Sequence, residues 1–201
     1  MNFKPALKEY YEREKRVFDS LDFDAINEAT NAILDAYERE VTIYVFGNGG
    51  SASTASHMAC DFNKGICCEL DKKFHVVCLN DNIPTMMAIA NDESYENVFY
   101  SQLKGRLKKD DLVIAISGSG NSKNIVKAVE YVNEIGTPLI AVTGYTGGKI
   151  FDKAAYHLHA PVEDMQITED LHMTFNHVIM QLLWKHLMKK DGKEAIYRIN
   201  Q

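Results

Sequence analysis

The chain has 201 residues, of which 46% are apolar and 25% charged, and its formal net charge is −6. These values are typical of a soluble globular domain with a full core. The acidic balance argues against a nucleic-acid partner, which would need clustered Lys and Arg. The sequence has no run near the roughly 20 apolar residues of a membrane helix and no apolar signal-peptide segment at its start. We therefore expect a protein that binds neither nucleic acid nor a membrane.

The cysteines predict a reducing compartment. Cys67 and Cys68 are adjacent, Cys60 and Cys78 stand apart, and no CxxC pair occurs. This pattern is a poor fit to a zinc knuckle or a disulfide framework, so we expect reduced structural thiols in a cytoplasmic protein.

The first forty residues show two amphipathic helical patterns separated by a turn at residues 20–22. The first carries apolar residues at Leu7, Tyr10, Tyr11, Val17 and Phe18. A helical hairpin cannot bury both its faces on one small domain. Residues 1–40 are therefore a predicted oligomerisation element, and packing on their own domain is the alternative.

From residue 41 onward, apolar strand-like runs alternate with helical patterns. The predicted strands are Thr42–Phe46, Phe74–Leu79, Leu112–Ser117, Leu139–Thr143 and Tyr156–Ala160. The predicted helices are Ala52–Lys64, Thr85–Ala90, Glu96–Leu107, Lys123–Ile135, Gly148–Ala154 and a closing helix over Thr168–Lys189. Such alternation predicts one α/β domain over residues 1–201, built on a doubly wound, five-stranded parallel sheet.

Two turns rich in glycine and serine each follow a predicted strand and lead into a helix. They read VTIYVFGNGGSAS over residues 41–53 and DLVIAISGSGNS over residues 111–122. Backbone N–H groups at such turns, with the positive end of a helix dipole behind them, bind anions. In the second turn Ser117, Ser119 and Ser122 offer hydroxyl donors. The pair predicts a ligand with a phosphate at one end, and the alternative for Ser122 is a simple N-cap.

Nucleotide-binding motifs are disfavoured. Gly47, Gly49 and Ala52 fit G-x-G-x-x-A spacing, but the next predicted strand ends near Asn80, too late for the acidic residue of a dinucleotide site. No GxxxxGK[ST] sequence occurs, which argues against nucleotide hydrolysis.

Ionisable residues lie on the helices around these turns. His57 and Asp61 are four apart and share one helix face. On spacing alone, such a pair can be a site or simply a solvated helix pair. Glu169 and His177 lie about 12 Å apart along the closing helix, a long distance for two ligands of one metal.

The chain resembles the sedoheptulose 7-phosphate isomerase (phosphoheptose isomerase) branch of the sugar-isomerase (SIS) domain superfamily. The resemblance covers essentially the whole chain, and its motifs are GNGGSASTASHMACDF, AIANDESYENVF, ISGSGNSKNIVKAVEYV, AVTGYTGGKI and TEDLHMTFNHVIMQLL. It implies the flavodoxin-like sheet of SIS domains. It also implies a homotetramer with active sites between subunits, which interconverts a ketose phosphate and an aldose phosphate.

The resemblance also implies roles for individual residues. The substrate-binding residues would be Asn48, Gly49, Gly50, Ser51, Asn91, Asp92, Ser117, Gly118, Ser119, Ser122 and Glu169. The ligands of one Zn²⁺ would be His57, Asp61, Glu169 and His177, of which Asp61 and His177 would also transfer protons.

Two residues depart from the family pattern. Asp61 stands where the family has glutamate, and Glu169 where it has glutamine. The shorter carboxylate retracts by about 1.5 Å, one bond length, and errors near 1 Å can cost about 10²-fold in rate.

The sequence thus predicts a sugar-phosphate aldose–ketose isomerase acting through an enediol, with sedoheptulose 7-phosphate as substrate and D-glycero-D-manno-heptose 7-phosphate as product. One alternative is an isomerase of another sugar phosphate. The other is a non-catalytic SIS module of the replication-initiator-associating type, which binds a sugar phosphate or a protein.

Overall fold

The computed structural model of the protein describes residues 1–193. Its helices are α1 (Lys4–Asp19), α2 (Phe23–Glu38), α3 (Gly50–Cys60), α4 (Ile83–Asp92), α5 (Tyr100–Leu103), α6 (Lys123–Ile135), α7 (Gly148–Phe151) and α8 (Met165–Lys190). Its strands are β1 (Ile43–Gly47), β2 (Val76–Cys78), β3 (Leu112–Ser117), β4 (Leu139–Gly144) and β5 (Tyr156–Ala160). Within residues 1–193, none of the helices combines the length and apolar character that crossing a membrane requires.

The five strands form one parallel sheet in the order β2-β1-β3-β4-β5. This is the flavodoxin-like order, and it confirms the predicted fold class. Side chains alternate across the strands, so one face packs under α2, α3 and α8 and the other under α5 and α6. Because β1 and β3 are neighbours, the turns that follow them lie side by side at the carboxyl edge of the sheet.

Several predicted elements differ in extent from the observed ones. The predicted strand Phe74–Leu79 is only Val76–Cys78, and the side chain of Asn63 exchanges two hydrogen bonds with the backbone of Val76. The predicted helix Glu96–Leu107 was wrong as one helix. It is a 3₁₀ turn over Tyr95–Asn97 followed by the single turn α5, and Gly105 in the left-handed region at φ +74 lies just beyond it.

Two predicted helices change at their ends. The predicted helix Ala52–Lys64 begins at Gly50 and passes into a π-helical turn over Asp61–Gly65. The closing helix begins at Met165 rather than Thr168, because Asp164 accepts hydrogen bonds from two backbone N–H groups of its first turn. Of the C-terminal tail, residues 194–201 lie outside the described residues.

The N-terminal hairpin leaves apolar surface exposed on the single chain. In α1 only Val17 is buried, whereas Phe3, Leu7 and Tyr11 are more than half exposed. Helix α2 instead contributes Ala29, Ile33, Ala36 and Tyr37 to the core. The second helix therefore belongs to the domain, and the outer face of α1 is available to another molecule.

The cysteines are all free thiols. Cys67 and Cys78 are buried, and the sulfur of Cys67 accepts a hydrogen bond from the backbone N–H of Phe74 at 3.0 Å. Burial raises the pKa of the Cys78 thiol to about 12. Both residues have the structural role predicted from the sequence.

His172 is a buried histidine on the core side of α8. Only 1% of its surface is exposed, and within residues 1–193 neither ring nitrogen has a hydrogen-bond partner. Burial lowers the pKa of His172 to about 4. The folded protein therefore keeps this ring neutral at pH values where the unfolded chain protonates it.

Replacing His172 should flatten the pH dependence of stability. Between pH 6.5 and 4 only the unfolded state binds this proton, so stability falls as pH falls, by about 3 kcal/mol for this group. We expect His172→Leu to remove that part of the slope in urea unfolding measured from pH 7 to 4. His186→Leu, at an exposed position of the same helix, is the control and should keep it. An unchanged slope in His172→Leu would contradict the assignment.

Candidate active site

The first turn, residues 47–50, is held tightly against the neighbouring strand. The side-chain amide of Asn80, just beyond β2, accepts from the N–H of Gly47 at 3.1 Å and donates to its carbonyl at 2.9 Å. Any Cβ on Gly47 would lie 2.7 Å from Ser51. Gly49 has a φ of +55 with open space around it, so its backbone conformation, and not crowding, favours glycine there.

A carboxylate of the chain itself lies at this turn. A Cβ on Gly50 would lie 2.5 Å from both carboxylate oxygens of Glu169. Helix α3 begins at Gly50, so Glu169 brings a negative charge to the positive end of the helix dipole. The sequence predicted an anion site here, and the side chain of Glu169 already supplies an anion to it.

Asn48 of the first turn bonds to the start of α6, and the residues that fix it were missed by the sequence analysis. Its side chain exchanges two hydrogen bonds of 2.9 Å with Asn124, which is buried at the start of α6. The hydroxyl of Tyr95 also donates to Asn48, at 3.0 Å. The motif gave no sign of this pairing because the two asparagines are 76 residues apart.

The second turn, residues 117–122, is packed from behind by the loop that follows β4. A Cβ on Gly120 would lie 1.8 Å from the carbonyl oxygen of Gly147, and φ at Gly120 is +64. The backbone of Gly120 accepts from the N–H of Ile150 at 3.3 Å. Gly118 packs against Met165, whose sulfur would lie 2.8 Å from an added Cβ. The turn is therefore rigid, and the backbone positions from which its serine side chains extend are fixed.

The serines of this turn are better arranged to bind an anion than to cap helix α6. Ser122 is the N-cap residue of the 13-residue helix α6, yet within the described residues its side chain makes no capping hydrogen bond. Ser119 accepts from the N–H of Asn121 at 3.3 Å, which leaves its hydroxyl hydrogen free to donate. Ser117 is buried at the end of β3. The first N–H groups of α6 and two hydroxyl groups thus remain for a ligand.

Asn91 and Asp92 end α4 on the surface. The amide of Asn91 donates to Asp92 at 2.8 Å, and both residues are exposed. Asn91 and Asp92 lie four and three residues before Tyr95, whose hydroxyl reaches Asn48. The structure therefore brings their segment toward the first turn, and their contact with substrate stays a prediction.

His57, Asp61 and His177 form a cluster in which one ligand atom from each lies within 4.8 Å of the others. The Nε2 atoms of His57 and His177 are 3.2 Å apart. Oδ2 of Asp61 lies 3.2 Å from Nε2 of His57 and 3.9 Å from that of His177. The spacing of His57 and Asp61 left a simple helix pair open, and the approach of His177 from α8 makes the three residues a candidate metal site.

The cluster fits a zinc ion. Tetrahedral ligands at 2.0–2.1 Å from zinc lie about 3.3 Å from one another, close to the observed separations. Two imidazole nitrogens and one carboxylate oxygen are ligands that zinc accepts, and three protein ligands leave a fourth position open, as in catalytic sites. The side chains are partly exposed, with 45% of His57 and 53% of His177 accessible, so a ligand can reach them.

Helices α3 and α8 lie side by side and run in the same direction. Glu169 meets Gly50 at the start of α3, and eight residues later His177 meets His57. His57 is about 10 Å along the axis from Gly50. Within the described residues, Glu169 lies at the first turn and outside the three-residue cluster. Its role as a fourth metal ligand stays a prediction.

Known proteins resemble this chain over most of its length. The family model of the SIS domain matches residues 9–144. The chain is 32% identical over 186 residues to the phosphoheptose isomerase of Thermodesulfovibrio yellowstonii, covering 91% of this chain and 92% of that protein. It is 31% identical to the phosphoheptose isomerase of Helicobacter pylori, covering 84% and 87%. The chain belongs to the phosphoheptose isomerase family of SIS-domain proteins.

Solved structures share the fold of this SIS-domain chain. The phosphoheptose isomerase of Francisella tularensis superimposes with a TM-score of 0.85 at 22% identity, covering 92% of this chain and all of that one. The enzyme of Neisseria gonorrhoeae gives a TM-score of 0.81 at 24% identity, covering 90% and 98%. Each match covers at least 90% of this chain, so nearly the whole chain has the family architecture.

Ser122→Ala should separate ligand binding from capping. Because the hydroxyl caps nothing, we expect the free energy of unfolding to change by less than about 0.5 kcal/mol. The affinity for inorganic phosphate should fall roughly 10-fold or more, since hydrogen bonds to charged groups are strong. The measurements are thermal unfolding and phosphate titration by calorimetry.

Asp22→Ala is the matched control for this variant. Asp22 caps α2 by accepting from the N–H of Ala25 at 3.0 Å, so its loss should cost about 1 kcal/mol and leave phosphate binding unchanged. If Ser122→Ala behaved as Asp22→Ala does, Ser122 would be an N-cap only.

Proposed function

We propose that the chain is an aldose–ketose isomerase that converts sedoheptulose 7-phosphate to D-glycero-D-manno-heptose 7-phosphate. Family membership supports the reaction class, and one structural observation carries the proposal: His57, Asp61 and His177 converge within 4.8 Å. A chain that only bound a sugar phosphate would need the serine turn but not this acid and imidazole cluster.

The phosphate of the substrate binds at the second turn. Ser119 and Ser122 donate hydroxyl hydrogen bonds, Ser117 and Gly118 shape the turn, and the N-terminus of α6 adds its dipole. The first turn supports this choice, because Glu169 already brings a negative charge to Gly50. Asn48, Gly49, Ser51, Asn91 and Asp92 then contact the hydroxyl groups of the sugar.

The isomerisation requires a base that removes a proton from the carbon next to the carbonyl. It also requires an acid that delivers a proton to the neighbouring carbon. We assign these roles to Asp61 and His177. The carboxylate removes the proton, the C–H electron pair forms the double bond of the enediol, and the carbonyl oxygen gains a proton. A proton then returns to the former carbonyl carbon, and the hydroxyl on the neighbouring carbon loses its proton and becomes the new carbonyl, which completes the isomerisation. Binding of the distant phosphate holds the reacting carbons in place.

The site also suits one Zn²⁺, held by His57, Asp61 and His177. When bound, zinc would polarise the carbonyl and stabilise the negative charge that develops on its oxygen. The carboxylate of Glu169 faces the first turn, which supports a contact with substrate more directly than a fourth bond to the metal.

We further propose a cytoplasmic homotetramer with active sites shared between subunits. The exposed residues Leu7 and Tyr11 of α1, with Phe3 just before the helix, supply apolar surface for a second copy. On α3, the cluster of His57, Asp61 and His177 begins about 10 Å beyond the first turn. A neighbouring chain can therefore supply the part of the site that one chain leaves open. The free thiols support a reducing compartment.

The test follows solvent deuterium entering sedoheptulose 7-phosphate, as part of a panel of sugar phosphates with chelator or with added Zn²⁺. We expect the heptose phosphate to be the best substrate and chelator to lower the rate. Asp61→Ala and His177→Ala should each lower kcat by about 10²-fold or more, because each removes a proton-transferring group.

His186→Ala is the control for loss of a histidine, since His186 lies exposed on the same helix as His177. It should keep full activity. Undiminished turnover in both site variants would refute the assigned roles. Preference for another sugar phosphate would correct the substrate alone. No activity on any of them, together with a specific protein partner, would favour the non-catalytic module.

A further inference from the structure

Asn176 is a buried polar residue that the proposed reaction does not use directly. It lies on α8 immediately before His177 and has no exposed surface. Its side-chain N–H donates to Oδ2 of Asp61 at 2.8 Å. A buried asparagine that touches the carboxylate at the centre of the cluster requires an explanation.

The other end of the Asn176 amide has no compensating contact. Within residues 1–193 its Oδ1 atom is buried without a hydrogen-bond partner. A buried unsatisfied acceptor is costly, so the position does not serve stability alone. Turning the amide over would place this oxygen against the carboxylate of Asp61, which fixes the orientation with the N–H toward Asp61.

The bond selects one oxygen of Asp61 and directs it. Oδ2 receives the N–H of Asn176 at 2.8 Å and lies 3.2 Å from Nε2 of His57. Oδ1 of Asp61 lies near Gly65, 3.9 Å from where a Cβ on that glycine would be. The main chain is held as well, because Asp61 begins a π-helical turn in which its carbonyl accepts from the N–H of Ile66. Both the backbone and the side chain of Asp61 are therefore constrained.

We infer that Asn176 is a positioning residue that holds Oδ2 of Asp61 against the two histidines. The inference rests on the proposed function of the His57, Asp61 and His177 cluster. Aspartate is one methylene shorter than glutamate, so its oxygen reaches less far from α3. A donor on α8 draws that oxygen toward the helix that carries His177 and completes the cluster.

The test measures zinc affinity by competition with a chelating dye. Asn176→Leu keeps the size of the side chain and removes the donor, and we expect zinc to bind about 10- to 100-fold more weakly, as for other residues that orient a metal ligand. Asn176→Ala is a second variant in case leucine impairs folding, which thermal unfolding monitors. His172→Leu, at a buried position on the same helix, is the control and should bind zinc as the wild type does.

A double-mutant cycle with Asp61 separates positioning from a structural role. If Asn176 acts through Asp61, adding Asn176→Leu to Asp61→Ala should weaken zinc binding no further. An equal loss in both backgrounds, or unchanged affinity in Asn176→Leu and Asn176→Ala, would overturn the inference.

Activity distinguishes this inference from the proposed function. In wild-type background Asn176→Leu should lower kcat for sedoheptulose 7-phosphate more than it changes KM, because the phosphate site is intact. A wild-type chain that binds zinc but isomerises no sugar phosphate would refute the proposed function and leave the positioning role standing. A wild-type chain that binds no zinc would refute the positioning role.

Discussion

The packing of α8 along α3 determines where the ionisable side chains of the candidate active site lie. The two helices start 115 residues apart, at Gly50 and Met165, and the parallel sheet brings them together over the same face. They meet at two levels: Glu169 lies at Gly50 where α3 begins, and His177, two turns further along α8, meets His57 and Asp61 near the end of α3. Because both helices are rigid and buried along one side, the separation of these groups is set by helix geometry and not by mobile loops.

The two glycine-rich turns differ in the charges and free hydrogen-bond donors around them, and this difference gives them different roles. A chain with a net charge of −6 does not attract an anionic substrate at long range, so local donors must bind the phosphate. The first turn has Glu169 beside its helix N-terminus, whereas the hydroxyl of Ser122 makes no capping bond to any residue from 1 to 193. The chain thus contains two similar turns. At the first turn, the carboxylate of Glu169 disfavours the binding of a second anion.

Much of this arrangement was predictable, because local pattern determines it. Apolar runs alternating with helical patterns predicted all five strands and a parallel sheet, and the small residues around Gly49 and Gly120 predicted both turns. Asn124 and Asn176 could not be found in this way, since their partners, Asn48 and Asp61, are 76 and 115 residues distant. The π-helical turn at Asp61 and the placement of Glu169 at Gly50 also depend on how α8 packs, which no local signal reports.

The central claim is that one phosphorylated sugar spans the serine turn and the acid and imidazole cluster. A crystal structure of the assembled protein with sedoheptulose 7-phosphate tests it most directly. The account predicts the phosphate within hydrogen-bonding distance of Ser119 and Ser122, with the carbonyl end of the sugar against Asp61 and His177 of the same or a neighbouring chain. A phosphate bound elsewhere, or a sugar that meets no such cluster in any combination of chains, would contradict it.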